Sequence, residues 1–339
     1  MKILNIMLSR DLGGIQQAFL DYSTALEMQK IEVINITSYK AKINSFLLYK
    51  QSLKLPNIVP FDLLSVLIFK YIIHKTKPDI IIAHGNRAIN FSKLAKSQNI
   101  KLIGIAHNYS LKGLRKCDFV IALTHHMKAF LLKNHFAASR ICILPNMINI
   151  AKDFIPNKTY RKPVVIGVLA RFVAKKGVDV FIKAIKILKE KKYDLHAVIG
   201  GSGEEKDNLI ALAHKLNLQD QISFTGWVHD RDKFFKQIDI FCLPSLHEPF
   251  GIIVLEAMEA SMPIVSTDTE GPAAILNDMQ DGLICKAGSA EDLATKIVYL
   301  IENPIKAQEF SKNAYLTLKQ NYEIKVVSEK LQHILESFR

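Results

Sequence analysis

Sulfur is scarce in this chain: four cysteines in 339 residues, Cys117, Cys142, Cys242 and Cys285, with no Cys-x-x-Cys pair among them. That spacing excludes a local zinc knuckle and a disulfide-stapled secreted scaffold, and a reducing cytoplasm is the simplest setting. A long apolar run is also missing. The longest, 63–73, is interrupted by Lys70 and falls short of the roughly 20 residues that cross a bilayer. The apolar start, 1–8, meets Arg10 and Asp11 with no small-residue cleavage site after it, so it reads as a first strand and not a leader. No full G-x-G-x-x-G fingerprint and no P-loop occurs, which removes the patterned dinucleotide and ATP readings. Solenoid repeats and low-complexity tracts are absent as well.

What is there is apolar and periodic. Almost half of the residues (49%) are hydrophobic, and the length exceeds one comfortable core, so two globular domains are expected. Apolar runs at 3–8, 33–37, 79–83, 102–106, 119–123 and 141–144 alternate with amphipathic stretches such as 14–28, the rhythm of parallel α/β units. Periodicity lapses between Asn146 and Pro163, then resumes with strands at 164–170, 194–199, 222–225 and 238–243 and helices at 178–190 and 207–216. The organisation expected is a first domain over 1–150, a linker over 151–162 and a second domain over 163–339, its last helix free to cross back to the first. Both domains read as doubly wound sheets, with ligands beyond the carboxyl ends of the strands in a cleft between them.

The net charge of +13 is unevenly placed. Residues 1–162 hold 24 Lys and Arg against 8 acids, whereas 163–339 hold 21 against 24. The first half is therefore expected to meet something anionic: a membrane surface, a phosphorylated acceptor or nucleic acid. Within it, 40–77 mixes seven lysines with Phe46, Leu47, Leu48, Leu63, Leu64 and Phe69. This pattern suits an anionic leaflet, or equally two core-packed helices with solvated lysines.

The segment His247-Glu248-Pro249-Phe250-Gly251-Ile252-Ile253-Val254-Leu255-Glu256 places two glutamates around an expected helix start just after a strand. Free amides and the positive helix end suit a diphosphate, and the carboxylates suit sugar and ribose hydroxyls. Arg171 and Lys176, in Ala170-Arg171-Phe172-Val173-Ala174-Lys175-Lys176-Gly177, flank another strand end and helix start, a ready anion site. Gly201 and Gly203, in Gly200-Gly201-Ser202-Gly203, and the pair Gly13-Gly14 after the first strand permit close backbone approach. His107 and His84 each end a strand. Asp230-Arg231-Asp232 imitates a manganese-binding aspartate pair but reads better as a helix N-cap at Asp230, and Trp227 reads equally as core or as a neighbour of a bound base.

These motifs resemble glycosyltransferase family 4, retaining enzymes of the GT-B fold, firmly over 164–290 and loosely over 40–75. The resemblance implies two Rossmann-like doubly wound domains and transfer of a sugar from a nucleotide-sugar, UDP-sugar favoured, to a glycan or lipid-linked acceptor. Lipopolysaccharide or surface-polysaccharide biosynthesis is the setting it suggests, as a hexosyltransferase-type enzyme. It casts His107, Glu248, Arg171 and Lys176 as catalytic. Gly13, Gly14, Gly201, Gly203, Phe250, Gly251, Ile252, Ile253 and Glu256 join Arg171, Lys176 and Glu248 in donor binding. Arg171 and Lys176 then neutralise the leaving diphosphate, so neither metal nor cofactor is expected. Retention follows if the leaving phosphate takes the acceptor's proton on the same sugar face. Ser261 and Met147 replace usual glycines, and Ala274 a usual glutamate. The partners expected are the donor, the acceptor and an anionic membrane surface, without nucleic acid, at the inner face of the cytoplasmic membrane. The rivals are a nucleotide-sugar epimerase of the same fold and a basic nucleic-acid-binding protein.

Overall fold

The computed structural model describes every residue except 12, 60, 61, 157–159 and 339. The chain divides into two compact units: Met1–Asn149 with Tyr322–Arg339, and Ile150–Asn321. Unit 1 holds seven parallel strands, β1 (Lys2–Met7), β2 (Glu32–Ser38), β3 (Ser52–Leu55), β4 (Ile80–His84), β5 (Lys101–Ala106), β6 (Phe119–Ala122) and β7 (Ile141–Ile143), in the order β3-β2-β1-β4-β5-β6-β7. Unit 2 repeats the theme with β8 (Val164–Leu169), β9 (Leu195–Gly200), β10 (Ile222–Gly226), β11 (Ile240–Leu243), β12 (Ile264–Thr267) and β13 (Leu283–Cys285), in the order β10-β9-β8-β11-β12-β13. Both are doubly wound. Helices cover both faces of each sheet, so the central strands are rich in Ile and Val and do not alternate; in β4 all five residues, Ile80 to His84, are buried.

Strand order reverses between β1 and β4 in unit 1 and between β8 and β11 in unit 2. At such a point the connections leave toward opposite faces and open a crevice at the carboxyl ends of the strands.

The end of the chain belongs to unit 1, where helix Ile324–Glu336 packs on helix Gly14–Met28. Gln29 Nε2 donates to Ser328 Oγ at 2.9 Å, the rings of Phe338 and Phe119 stack at 3.8 Å, and Ile148 and Ile324 exchange backbone bonds with the 322–324 and 148 segments at 3.0 and 2.9 Å. The expected linker is partly bound to unit 2: Ala151 N–H donates to Glu259 and Ile155 N–H to Ser261 Oγ, at 2.8 and 3.1 Å. Its residues 157–159 lie outside the described residues. Ser261 takes φ +57, the left-handed conformation that explains why glycine is usual there.

The 40–77 region is not two helices. It forms a short 3₁₀ turn (Lys42–Leu47), the edge strand β3 and one helix, Leu63–Thr76, begun by Asp62, whose carboxylate accepts from Ser65 N–H at 3.1 Å. Phe69, Ile72 and Ile73 are buried, yet Leu63, Leu64, Leu67 and Tyr71 on the opposite side are 57–76% exposed. No helix among the described residues is long and apolar enough to cross a membrane.

Candidate active site

In unit 2 the loops after β8 and β11 are locked together. Leu246 and His247 donate their N–H groups to the carbonyl of Lys175, at 2.9 and 3.3 Å. Gly177 makes this possible: its φ is +61, and a Cβ there would lie 2.0 Å from the carbonyl oxygen of Pro244. Only glycine tolerates both conditions. The result is an ion pair between Lys176 Nζ and Glu248 Oε2, with side chains only 17% and 10% exposed. The Glu248 carbonyl in turn accepts Gly271 N–H at 2.8 Å.

Helix Ile252–Glu259 begins beyond Gly251, which has φ +88 and supplies no capping side chain. Val254 N–H donates to the Gly251 carbonyl at 2.9 Å, no side chain caps the Ile252 and Ile253 amides before it, and Glu256 follows within the same short helix. One Glu256 oxygen pairs with Arg231. The other, Oε2, is buried and has no hydrogen-bond partner. A buried carboxylate oxygen with its lone pairs unmet favours a hydroxyl donor from a ligand, because leaving it dry costs about 1–3 kcal/mol. Arg171, on the loop after β8, is exposed and makes no ion pair with any described residue. The Lys176–Glu248 pair, the uncapped helix start, the open Glu256 oxygen and the loop that carries Arg171 therefore all follow β8 and β11, the strands at the switch point of this sheet.

Gly201 and Gly203 pack closely against the loop that carries Arg171. A Cβ on either would fall 1.8 Å from Ala170 O or 2.2 Å from Phe172 O, and Phe172 N–H donates to Ser202 O at 2.8 Å. Their close approach is to the Arg171 loop itself, whose position they fix. Asp230 caps helix Arg231–Lys236, accepting from Lys233 N–H at 2.9 Å. Trp227 is 46% exposed and not core. Phe250 is buried, while Ile252 and Ile253 are half-buried at the helix start. Nothing local in the sequence marks Arg231 for the site; its pairing with Glu256 depends on two short helices meeting.

In unit 1, Gly13 and Gly14 open helix Gly14–Met28 without a side-chain cap. At the ends of β4 and β5 the two histidines meet: His84 Nδ1 lies 2.9 Å from His107 Nε2, and His84 Nε2 lies 3.0 Å from Asn5 Oδ1. Asn5 Nδ2 donates to the Phe19 carbonyl at 3.0 Å and to Asn35 Oδ1 at 3.1 Å. A carbonyl only accepts, so the Asn5 amide orientation is forced, its Oδ1 faces His84, and His84 must carry its proton on Nε2. Burial pushes His84 well below the usual imidazole range, with neighbouring His107 adding to it, and pushes His107 down to about 4. Both rings are neutral at pH 7. His84 Nδ1 is then an acceptor, His107 donates from Nε2, and His107 Nδ1 is left unprotonated.

Known proteins match both units of the chain. A model described as "Glycosyl transferases group 1" matches 149–317, and one described as "Glycosyltransferase Family 4" matches 12–152. The lipopolysaccharide core biosynthesis glycosyltransferase LpsE of Rhizobium meliloti (strain 1021) is 25% identical over 346 residues, covering 99% of each chain. The crystal structure of HepE from Anabaena in complex with UDP and glucose superposes with a TM-score of 0.84 at 20% identity, covering 99% of this chain and 100% of that one. The apo form of the lipopolysaccharide outer core galactosyltransferase WaaB does so with 0.80 at 17%, covering 100% of both.

Two parallel-sheet α/β units of this order, with the matched sequence, define a GT-B glycosyltransferase. The chain belongs to glycosyltransferase family 4. It is a hexosyltransferase-type enzyme with relatives in lipopolysaccharide-core and polysaccharide biosynthesis.

Proposed function

We propose that this chain moves a sugar from a UDP-sugar to a glycan or lipid-linked acceptor, with retention of configuration and without a divalent cation, in lipopolysaccharide or surface-polysaccharide assembly. The observation that carries the reading is the Lys176–Glu248 pair beside the uncapped helix bearing Glu256. Lys176 and the unpaired Arg171 supply the positive charge that a departing diphosphate needs. The open Glu256 oxygen accepts a ribose hydroxyl, and Glu248 a hydroxyl of the sugar. His107 Nδ1 accepts another sugar hydroxyl. As the glycosidic bond to phosphate breaks, the phosphate oxygen takes the acceptor's proton and the new bond forms on the same face. The similarity to a protein bound to UDP and glucose supports the choice of base.

The test is titration of UDP, GDP and ADP, with chelator present, into wild type and into the Arg171→Ala/Lys176→Ala variant. Tight UDP binding lost in the variant is expected. A folded protein that binds none of the three overturns the reading.

The exposed apolar side of helix Leu63–Thr76, edged by Lys70 and Lys75, supports peripheral attachment to an anionic membrane at the inner face of the cytoplasmic membrane. Unit 1 carries 23 Lys and Arg against 10 acids, and unit 2 carries 22 of each. The whole net charge thus resides on the unit that bears this helix, and in this reading lipid, not nucleic acid, is what it meets.

A further inference from the structure

The switch point of unit 1 holds a pocket of about 430 Å³. Its wall includes Ser9, Arg10, His84, Gly85, Asn86 and Arg87. The placement of the two arginines follows from strand register. Met7 of β1 pairs with His84 of β4, so Arg10 and Arg87 each lie three residues beyond the same rung, on neighbouring loops.

Neither guanidinium has a counter-charge. Arg10 Nη2 donates to the carbonyls of Asn57 and Ile58 at 2.7 and 3.0 Å, while its Nε is buried without a partner. Arg87 Nη1 reaches only Asn57 Oδ1, at 3.4 Å. No described residue forms an ion pair with either. Asp62 is committed elsewhere: it accepts Ile58 N–H at 3.0 Å and Ser65 Oγ at 2.6 Å, bonds that hold its carboxyl below the usual range. Asn57 is fully buried and held by its own bond from Nδ2 to Leu8 O at 2.9 Å, which fixes the residue whose carbonyl Arg10 meets. The helix beginning at Asn86 has no side-chain cap. Two cations and an uncapped helix start around one cavity, with no acid in its wall, are the complement of an oxyanion.

We propose that this pocket binds a phosphate or carboxylate carried by a sugar; on the transfer reading above, that sugar belongs to the acceptor, which makes the acceptor class anionic. The specificity then resides in Arg10 and Arg87, on the unit that carries the net positive charge.

The probes are glucose, glucose 6-phosphate and glucuronate, titrated calorimetrically at low salt into the Arg171→Ala/Lys176→Ala chain, in which the other basic site is removed. At least one charged sugar is expected to bind 10-fold or more tightly than glucose, and Arg87→Gln to abolish most of that difference. Preference for glucose 6-phosphate assigns a phosphate, and preference for glucuronate a carboxylate. Arg87→Gln gives up one long contact and is expected to fold as wild type by thermal unfolding; Arg10→Gln is the second variant. Equal binding of all three sugars, or a preference untouched by Arg87→Gln, overturns the proposal. No nucleotide enters this experiment, so its failure and failure of the donor reading are separately visible.

Discussion

His84 Nδ1 and His107 Nε2 share a single proton across 2.9 Å, and the Phe19 carbonyl, two hydrogen bonds away through Asn5, determines which of them holds it. Each residue in this relay removes one orientation or tautomer of the next. The consequence is an imidazole, His107, whose free nitrogen can only accept.

Long-range ¹H–¹⁵N spectra of histidine-labelled protein at about pH 7.5 should show both rings as neutral Nε2–H tautomers. His84→Leu deletes the acceptor and is expected to release His107 into a mixture of tautomers. His84→Asn, whose Oδ1 overlies the position of the lost Nδ1, should restore the Nε2–H form. A mixture in wild type would sink the relay.

The same burial makes stability pH-dependent. Both histidines have folded-state pKa values below the ordinary 6.5, that of His107 at about 4, so on acidification the unfolded chain binds protons first. Their full contribution is present above about pH 6.5 and is lost progressively as pH falls toward 4. The urea midpoint should be flat from about pH 8 to 7 and then decline, and His84→Asn should flatten the decline. Asp62 and Asp118, held below their ordinary values, lose their contribution only at lower pH. A midpoint that rises on acidification from 6.5 contradicts this assignment.

Separating Lys176 from Glu248 should cost more than removing both. Lys176→Met leaves a largely buried carboxylate without its partner, and a loss of about 1–3 kcal/mol is expected. Lys176→Met/Glu248→Gln should recover part of it, giving a favourable coupling in a double-mutant cycle by denaturant unfolding. Nucleotide affinity should fall in both variants. Strict additivity would show that the pair contributes nothing.

Gly177→Ala places a methyl 2.0 Å from the Pro244 carbonyl at φ +61. Destabilisation of about 2 kcal/mol or more is expected, with reduced nucleotide affinity because the loop carrying Lys176 must withdraw from the one carrying Glu248. An alanine variant with wild-type melting and binding would refute the locking role.

Replacing Leu63, Leu67 and Tyr71 by serine should leave thermal stability nearly unchanged, since these side chains are 61–76% exposed. It should markedly reduce co-flotation with phosphatidylglycerol vesicles at low salt. Wild type that fails to float with such vesicles removes the membrane reading.

Much of the architecture was legible in the order of residues. Helices Gly14–Met28 and Val178–Glu190 begin and end where the periodicity does, because a fully buried parallel strand and an amphipathic helix leave different hydrophobic rhythms. Strand β3 was not legible: its four residues are half exposed at a sheet edge, and they gain strand geometry only by pairing with β2. The return of the chain end to unit 1 was left open by the sequence, since helix Ile324–Glu336 has an ordinary apolar stripe that does not say which surface it covers.

The site divides along the same line. The places of Glu248, Glu256, Arg171 and Lys176 beside strand ends and helix starts were readable because turn and helix-start chemistry is local and constrains neighbours in sequence. Their pairing was not, nor were Arg231 against Glu256, Asn5 behind His84, or Arg10 beside Arg87, separations of 25, 79 and 77 positions. Sequence alone determined most of the elements, the two doubly wound units and the residue types at the strand ends. Tertiary structure alone decided which of those ends are neighbours. Strand order and register bring distant loops to one switch point, and charge compensation, proton position and orphaned oxygens exist only once they meet.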